Sequence, residues 1–284
     1  MKVKFVAEVS SNHNRDLDRS MEFIKTASGI GCHAVKFQLF RIGELFAPEA
    51  LKAKPSLLKR KEWELPLEFL PVLSEYAHKL NLEFSCTPFY LDAVDELEPF
   101  VDFYKIASYE ILWSDLLIRT AGKNKPMVLS TGMATLEEIG HAVNVVRKSG
   151  NDRITLLHCI SGYPTPPSEA NLSAIRTLEQ AFGCPVGWSD HSADPGVIHR
   201  AVHKWGAEMI EFHLDLEGKG SEFQSGHCWL PNQISQVIKA IGAGLDADGS
   251  GEKVPSPSEL NDLDWRADPE DGLRPLRSKR KELQ

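Results

Sequence analysis

Two histidines close two successive apolar runs: Pro185-Val186-Gly187-Trp188-Ser189-Asp190-His191, then Met209-Ile210-Glu211-Phe212-His213-Leu214. If both runs are parallel strands of one barrel, both imidazoles emerge at its C-terminal mouth, where neutral imidazole could ligate a divalent metal. Other strand-like runs end in residues equally suited to chemistry. They carry Glu8 with Asn12 and His13, Lys36 with Gln38, Thr87, Lys105 with Ser108 and Glu110, Ser130 with Thr131, Ser161 with Tyr163, and Ser189. Two ammonium groups and several hydroxyls make a cradle for a doubly charged small anion such as a phosphorylated acid. A lysine at a strand end also suits a Schiff-base aldolase. Of the remaining histidines, His78, His141, His199 and His203 fall in helix-like stretches, and His33 and His158 read as core.

The elements that must position these groups form a regular alternation. Short apolar runs at Val3–Val9, Ala34–Gln38, Glu83–Cys86, Phe103–Ile106, Met127–Ser130, Ile154–His158, Val186–Trp188 and Met209–Phe212 predict eight strands. Amphipathic stretches at Leu17–Ser28, Leu67–Leu80, Thr135–Arg147, Asn171–Phe182, Pro195–Trp205 and Pro231–Gly242 predict helices. The third opens on the capping box Thr135-Leu136-Glu137-Glu138. The pattern over residues 1–247 is that of an α/β protein, a (β/α)8 TIM barrel. An open doubly wound sheet would advertise a phosphate loop, and neither G-x-G-x-x-G nor a Walker sequence follows any strand. The segment Leu39–Glu64 is too long for a simple connection and is expected on the active face as a lid. Residues 248–284, with Pro255, Pro257, Trp265, Pro269 and Pro275 among many charges, are expected to form a short irregular tail and no separate domain.

Composition narrows the classes. Forty acidic against 32 basic residues give a net charge of -8, which disfavours nucleic acid and anionic membranes as partners. The start Met1-Lys2-Val3-Lys4-Phe5 lacks a signal-peptide run, and no stretch approaches the roughly 20 apolar residues of a membrane helix. The chain therefore reads as cytoplasmic. Five dispersed cysteines without C-x-x-C suggest neither disulfides nor a zinc ribbon.

Eight blocks of the sequence resemble the sialic acid synthase family, in the family's order. They are Ala7-Glu8-Val9 with Asn12-His13-Asn14, Ala34-Val35-Lys36-Phe37-Gln38, Ser85-Cys86-Thr87-Pro88-Phe89, Tyr104-Lys105-Ile106-Ala107-Ser108, Val128 to Thr135, Leu156-Leu157-His158-Cys159, Tyr163-Pro164-Thr165-Pro166, and Gly187-Trp188-Ser189-Asp190-His191. The resemblance implies a barrel that condenses phosphoenolpyruvate with an open-chain amino-sugar aldehyde, giving a 2-keto-3-deoxy sugar acid and phosphate. It implies a divalent cofactor, Mn2+ or Mg2+, on His191 and His213, and a homodimer. By the same resemblance Lys36, Thr87, Lys105, Ser108, Ser130 and Ser189, with Ser161 as a weaker match, hold phosphoenolpyruvate. Gln38 and Tyr163 face the acceptor sugar. Glu110 manages the water proton and Glu8 assists at the aldehyde.

Two departures bear on the acceptor. The family's proline-glycine-proline-aspartate turn is replaced by Gly220-Ser221-Glu222-Phe223-Gln224-Ser225-Gly226-His227, with Gln224 at the aspartate position by ungapped count and Glu222 or His227 as substitutes. The family's antifreeze-like C-terminal domain, source of an acceptor-site arginine, finds no counterpart; Arg266 or Arg274 of the tail could substitute. The alternatives to the synthase are a Schiff-base aldolase on pyruvate through Lys36 or Lys105, and a sugar-acid binding protein with altered catalysis.

Overall fold

The computed structural model describes residues 3–283, so Met1 and Lys2 of the start lie outside the described residues. Eight strands, β1 (Lys4–Glu8), β2 (Ala34–Leu39), β3 (Glu83–Pro88), β4 (Phe103–Ile106), β5 (Met127–Ser130), β6 (Ile154–Cys159), β7 (Val186–Asp190) and β8 (Met209–Leu214), pair in parallel in chain order. β1 also pairs with β8, which closes the expected (β/α)8 barrel. A ninth strand, β9 (Cys228–Trp229), was not anticipated; at two residues it is too short to show a period, and it adds to the far end of β8.

Period-two alternation decides what fills the barrel. Val6, Ala34, Phe103, Val128, Leu157 and Met209 form one small buried apolar cluster, a plug in the lower interior. Two residues further along the same strands, on the same face, stand Glu8, Lys36, Lys105, Ser130, Cys159 and Glu211. The polar layer thus sits on the plug, at the C-terminal mouth. Gly187 belongs to the plug because nothing larger fits: a Cβ there would overlap the Met209 carbonyl oxygen and stand 2.7 Å from Leu157 Cδ2. The outward faces of the strands pack on the helices through the larger core, which includes Phe23, Phe37, Leu73, Leu116, Val143, Trp188 and Phe212.

The helices differ in detail from the sequence pattern. Leu67–Leu80 opens as a 3-10 turn, Leu67–Phe69, and becomes α-helical over Leu70–Lys79, with Pro71 in the first turn. Asn171 adopts φ 42, so the helix expected from that point begins at Ala174. Helices at Leu91–Leu97 and Ser114–Ala121 complete the alternation. The Leu39–Glu64 excursion is structured, with short helices at Ile42–Leu45 and Pro48–Ala53 and a 3-10 helix at Pro55–Trp63. No helix among the described residues is long and apolar enough to cross a membrane.

From Asp246 onward the chain forms a second compact unit. Its 3-10 helix Pro257–Trp265 is opened by a Ser256/Glu259 capping box, and its helix Arg277–Glu282 carries Arg280, paired with Asp271 at 2.7 Å. The buried Asp268 carboxylate accepts from Arg277 N at 2.9 Å.

Candidate active site

Four buried charges form the floor of the mouth. Lys36 pairs with Glu8, its neighbour in strand register, and lies 3.8 Å from Glu211, while Lys105 Nζ is 3.0 Å from Glu211 Oε1. Thr87 Oγ1 accepts from Lys36 Nζ at 3.3 Å, and Gln38 Nε2 donates to Glu8 Oε1 at 2.7 Å. Burial alone would push the Glu211 carboxyl up, but the adjacent Lys105 and Lys36 ammoniums outweigh it and hold the group well below the usual carboxylate range. The same carboxylates outweigh burial at Lys36 and raise it. Two lysines against two glutamates sum to zero, so an incoming dianion would need a further cation close by. Sequence reasoning missed Glu211. The signal was present, since a carboxylate two residues before His213 in an apolar strand shares its inward face.

Beside the floor is a cradle of hydroxyls built around Gly132. Its backbone N–H donates to Ser108 Oγ at 3.0 Å, and Ser108 Oγ lies 3.2 Å from Cys159 Sγ. Ser130 Oγ and Ser161 Oγ are buried without a hydrogen-bond partner among the described residues, at a cost of about 1–3 kcal/mol each unless a ligand fills the role. A Cβ on Gly132 would stand 2.8 Å from both Cys159 Sγ and Ser108 Oγ and nearer still to Ser161 Oγ. Gly132→Ala is expected to cost about 1–3 kcal/mol by overpacking and to abolish anion binding while Ser108→Ala only weakens it. Calorimetric titration with phosphoenolpyruvate checks this, and an alanine variant binding as the wild type does would refute the cradle.

The histidines stand across the mouth. His191 Nδ1 faces the Ile160 carbonyl at 2.8 Å, which can only accept, so Nε2 carries the free lone pair. Burial and the neighbouring His213 depress His191 to about 3, keeping it neutral. Asp190 fixes the strand end beneath it, accepting from the Trp188 and Trp229 indoles at 2.9 Å each. His213 Nδ1 lies 2.9 Å from Glu222 Oε2. Burial would lower His213, but Cys228 and Glu222 reverse the direction and hold it well above its ordinary value. The Tyr163 ring covers the group, with its centroid 4.1 Å from that of His191. Imidazoles beside a carboxylate, next to a site short of positive charge, fit a divalent ion.

The loop after β8 settles the altered segment. Asp215 is fully buried and accepts from the backbone N–H groups of Glu217, Gly218 and Gly220 at 2.6–3.1 Å. That turn delivers Glu222 to the site, where Oε1 accepts from Ser10 Oγ at 2.7 Å and Ser11 Oγ at 2.8 Å. Gln224, placed at the aspartate position by ungapped count, is instead exposed and donates to the Lys219 carbonyl at 3.4 Å. Glu222 is the residue that reaches the histidines. In the short helix Ser221–Gln224, Gln224 lies about 200° around the axis from Glu222, so the two side chains point to opposite sides.

Above this layer opens a cavity of about 600 Å³. Phe40, Phe46, Trp63, Phe89 and Tyr109 wall it, and Arg60 from the Leu39–Glu64 excursion stands over the Phe46 and Trp63 rings. Glu110 reaches this cavity from the turn after β4. Burial, partly offset by Lys105, raises its carboxyl to about 7, and its Oε2 has no partner among the described residues. Most of the residues picked out at strand ends therefore converge on one mouth in two layers, whereas Asn12, His13 and Thr131 are buried beside it and bond to Leu214 O, Arg15 N–H and Leu157 O. Arg266 lies in the second unit, where its Nε donates to the Leu263 carbonyl at 2.7 Å.

A parallel barrel with lysines, hydroxyls and histidines at its C-terminal mouth defines an enzyme of the barrel synthase class. The NeuB family profile matches residues 23–253, and the chain belongs to that family. It is 37% identical over 273 residues to the N,N'-diacetyllegionaminic acid synthase of Campylobacter jejuni, covering 89% of this chain and 81% of that protein. It is 30% identical to the N-acetylneuraminate-9-phosphate synthase of Drosophila melanogaster, over 84% of this chain and 67% of that one. The crystal structure of the N-acetylneuraminic acid synthetase of Leptospira borgpetersenii in complex with citrate superposes with a TM-score of 0.81 at 31% identity, covering 94% and 92% of the two chains. The chain is accordingly a carbon–carbon bond-forming synthase of the sugar-acid type that uses phosphoenolpyruvate.

Proposed function

We propose that this chain condenses phosphoenolpyruvate with the open-chain aldehyde of an acetamido sugar, giving a 2-keto-3-deoxy sugar acid and phosphate. The observation that carries the reading is the pair of orphaned hydroxyls, Ser130 and Ser161, beside Gly132 N–H and the two buried lysines. Lys36, Lys105, Thr87, Ser108, Ser130, Ser161 and Ser189 bind the phosphate and carboxylate. Gln38, Tyr163 and the aromatic walls receive the acceptor, whose acetamido methyl groups suit apolar surface. A divalent ion on His191 and His213, manganese or magnesium by family resemblance, supplies Lewis acidity at the aldehyde oxygen.

Carbon 3 of the enol attacks the aldehyde carbon, forming the new carbon–carbon bond. Glu8, held by Gln38 and Lys36, sits where it can steer a proton to the aldehyde oxygen. Water adds at carbon 2 with Glu110 as the proton acceptor, and phosphate leaves by carbon–oxygen cleavage. Arg60 supports a second acceptor type, a sugar carrying a phosphate, because it is the one cation facing the outer cavity among its described lining residues.

The test is phosphate release from phosphoenolpyruvate with a divalent metal and a panel of aldoses, acetamido, diacetamido and phosphorylated. Release is expected only when an aldose is present. Failure to release phosphate with any of these aldoses, from protein shown to bind metal, would sink the proposal. Borohydride trapping of pyruvate on Lys36 or Lys105 would select the aldolase instead.

A further inference from the structure

Two imidazoles, a carboxylate and a thiol meet where β8 and β9 lie side by side. His213 pairs in register with Cys228, and His227 immediately precedes it in the chain. Glu222 Oε2 is their shared neighbour, 2.9 Å from His213 Nδ1, 3.6 Å from His227 Nε2 and 3.9 Å from Cys228 Sγ. One donor atom from each of the four residues lies within 4.8 Å of all the others. Donors set tetrahedrally at 2.0–2.3 Å around one ion stand about 3.3–3.8 Å apart. The observed separations, 2.9, 3.6 and 3.9 Å about Glu222 Oε2 and none above 4.8 Å among the four donors, bracket that range.

Two further observations point the same way. The other Glu222 oxygen, Oε1, is held by the Ser10 and Ser11 hydroxyls, which fixes the carboxylate with Oε2 turned to the histidines. His227 is 5% exposed, its Nδ1 has no partner among the described residues, and its Nε2 faces Glu222 Oε2 at 3.6 Å.

We propose that Glu222, His227 and Cys228 join His213 as ligands of the divalent ion, so that this chain holds a mixed nitrogen, oxygen and sulfur site suited to zinc, cobalt or ferrous iron. The proposal rests on the metal reading above and departs from it over which residues hold the ion, since His191 is not among these four, and over which ion is bound. Manganese and magnesium favour oxygen donors, whereas a thiolate selects softer ions. Binding releases the Cys228 thiol proton and any His213 imidazolium proton to water.

Affinity order alone does not discriminate, since most nitrogen sites bind zinc above manganese. The decisive probe is Co2+ added to the chelated, full-length protein. One equivalent is expected to give thiolate-to-cobalt charge-transfer absorption in the near ultraviolet. Cys228→Ser should remove that band while retaining the ligand-field bands. Glu222→Gln and His227→Ala should weaken Zn2+ binding by at least about 10-fold, and Gln224→Ala should change nothing. A wild-type cobalt protein without the charge-transfer band, together with unchanged Zn2+ affinity in His227→Ala, would overturn the proposal. The wild-type spectrum decides the sulfur ligand even if Cys228→Ser fails to fold. If the ion is then still lost in His191→Ala, the two-histidine reading survives where this one has failed.

Discussion

Replacing Glu110 by glutamine is expected to lower kcat about 10²- to 10⁴-fold, the range for loss of a positioned general base, while the folded protein becomes more stable. The two effects share one cause. Burial lifts the carboxyl to about 7, which puts its proton affinity near that of a base working at neutral pH. The same burial penalises the ionised form. Its folded pKa lies above the unfolded value, so the native state binds the proton more tightly, and wild-type stability falls as pH rises from about 4.5 to about 7. Above that window the deficit is about 3 kcal/mol at most. Glutamine cannot ionise, so the slope should vanish and the variant should melt above the wild type at pH 8. The pH–rate profile supplies the second readout. The wild type should show a rising limb near neutrality that Glu110→Gln lacks, and a variant that kept both rate and limb would remove Glu110 from the chemistry.

The second large effect is expected at Lys105. Its ammonium is the closer of two holding Glu211, and both side chains are about 5% exposed. Lys105→Met strands a buried carboxylate, at a cost of about 3–5 kcal/mol, and removes a charge-assisted donor from the anion site. The KM for phosphoenolpyruvate should rise about 10- to 100-fold. The double variant Lys105→Met, Glu211→Met separates the two losses. Removing both charges should restore most of the stability, because Lys36 keeps Glu8, and should leave the KM defect in place. Chemical denaturation and steady-state kinetics on the four proteins of the cycle check this. Recovery of KM in the double variant would show that Lys105 serves only to neutralise Glu211.

The legible parts of the chain are those governed by local rules. Lys36, Lys105, Ser130 and Ser189 are legible because each lies in or just after a β-rich run, and a parallel strand has only two faces. One inward residue on such a strand fixes the next, two positions away. Glu211 obeys the same rule, sharing the inward face of β8 with His213 two residues on. The excursion Leu39–Glu64 was recognised as an active-face element by its length, but its short helices have no apolar period to betray them.

What the sequence by itself determined is the barrel, its polar mouth and the family to which those strand ends belong. A strand's periodicity is set within a few residues, so it survives in the linear text. Which residue stands beside His213 was decided only by tertiary structure. Glu222 arrives there because Asp215 gathers three backbone N–H groups into a turn and because Ser10 and Ser11, more than 200 residues away in the chain, hold its carboxylate. His227 and Cys228 arrive because β9 pairs with the last two residues of β8, His213 and Leu214, past the point where its pairing with β7 ends. Such contacts join distant segments by shape and hydrogen bonding, and no spacing along the chain records them.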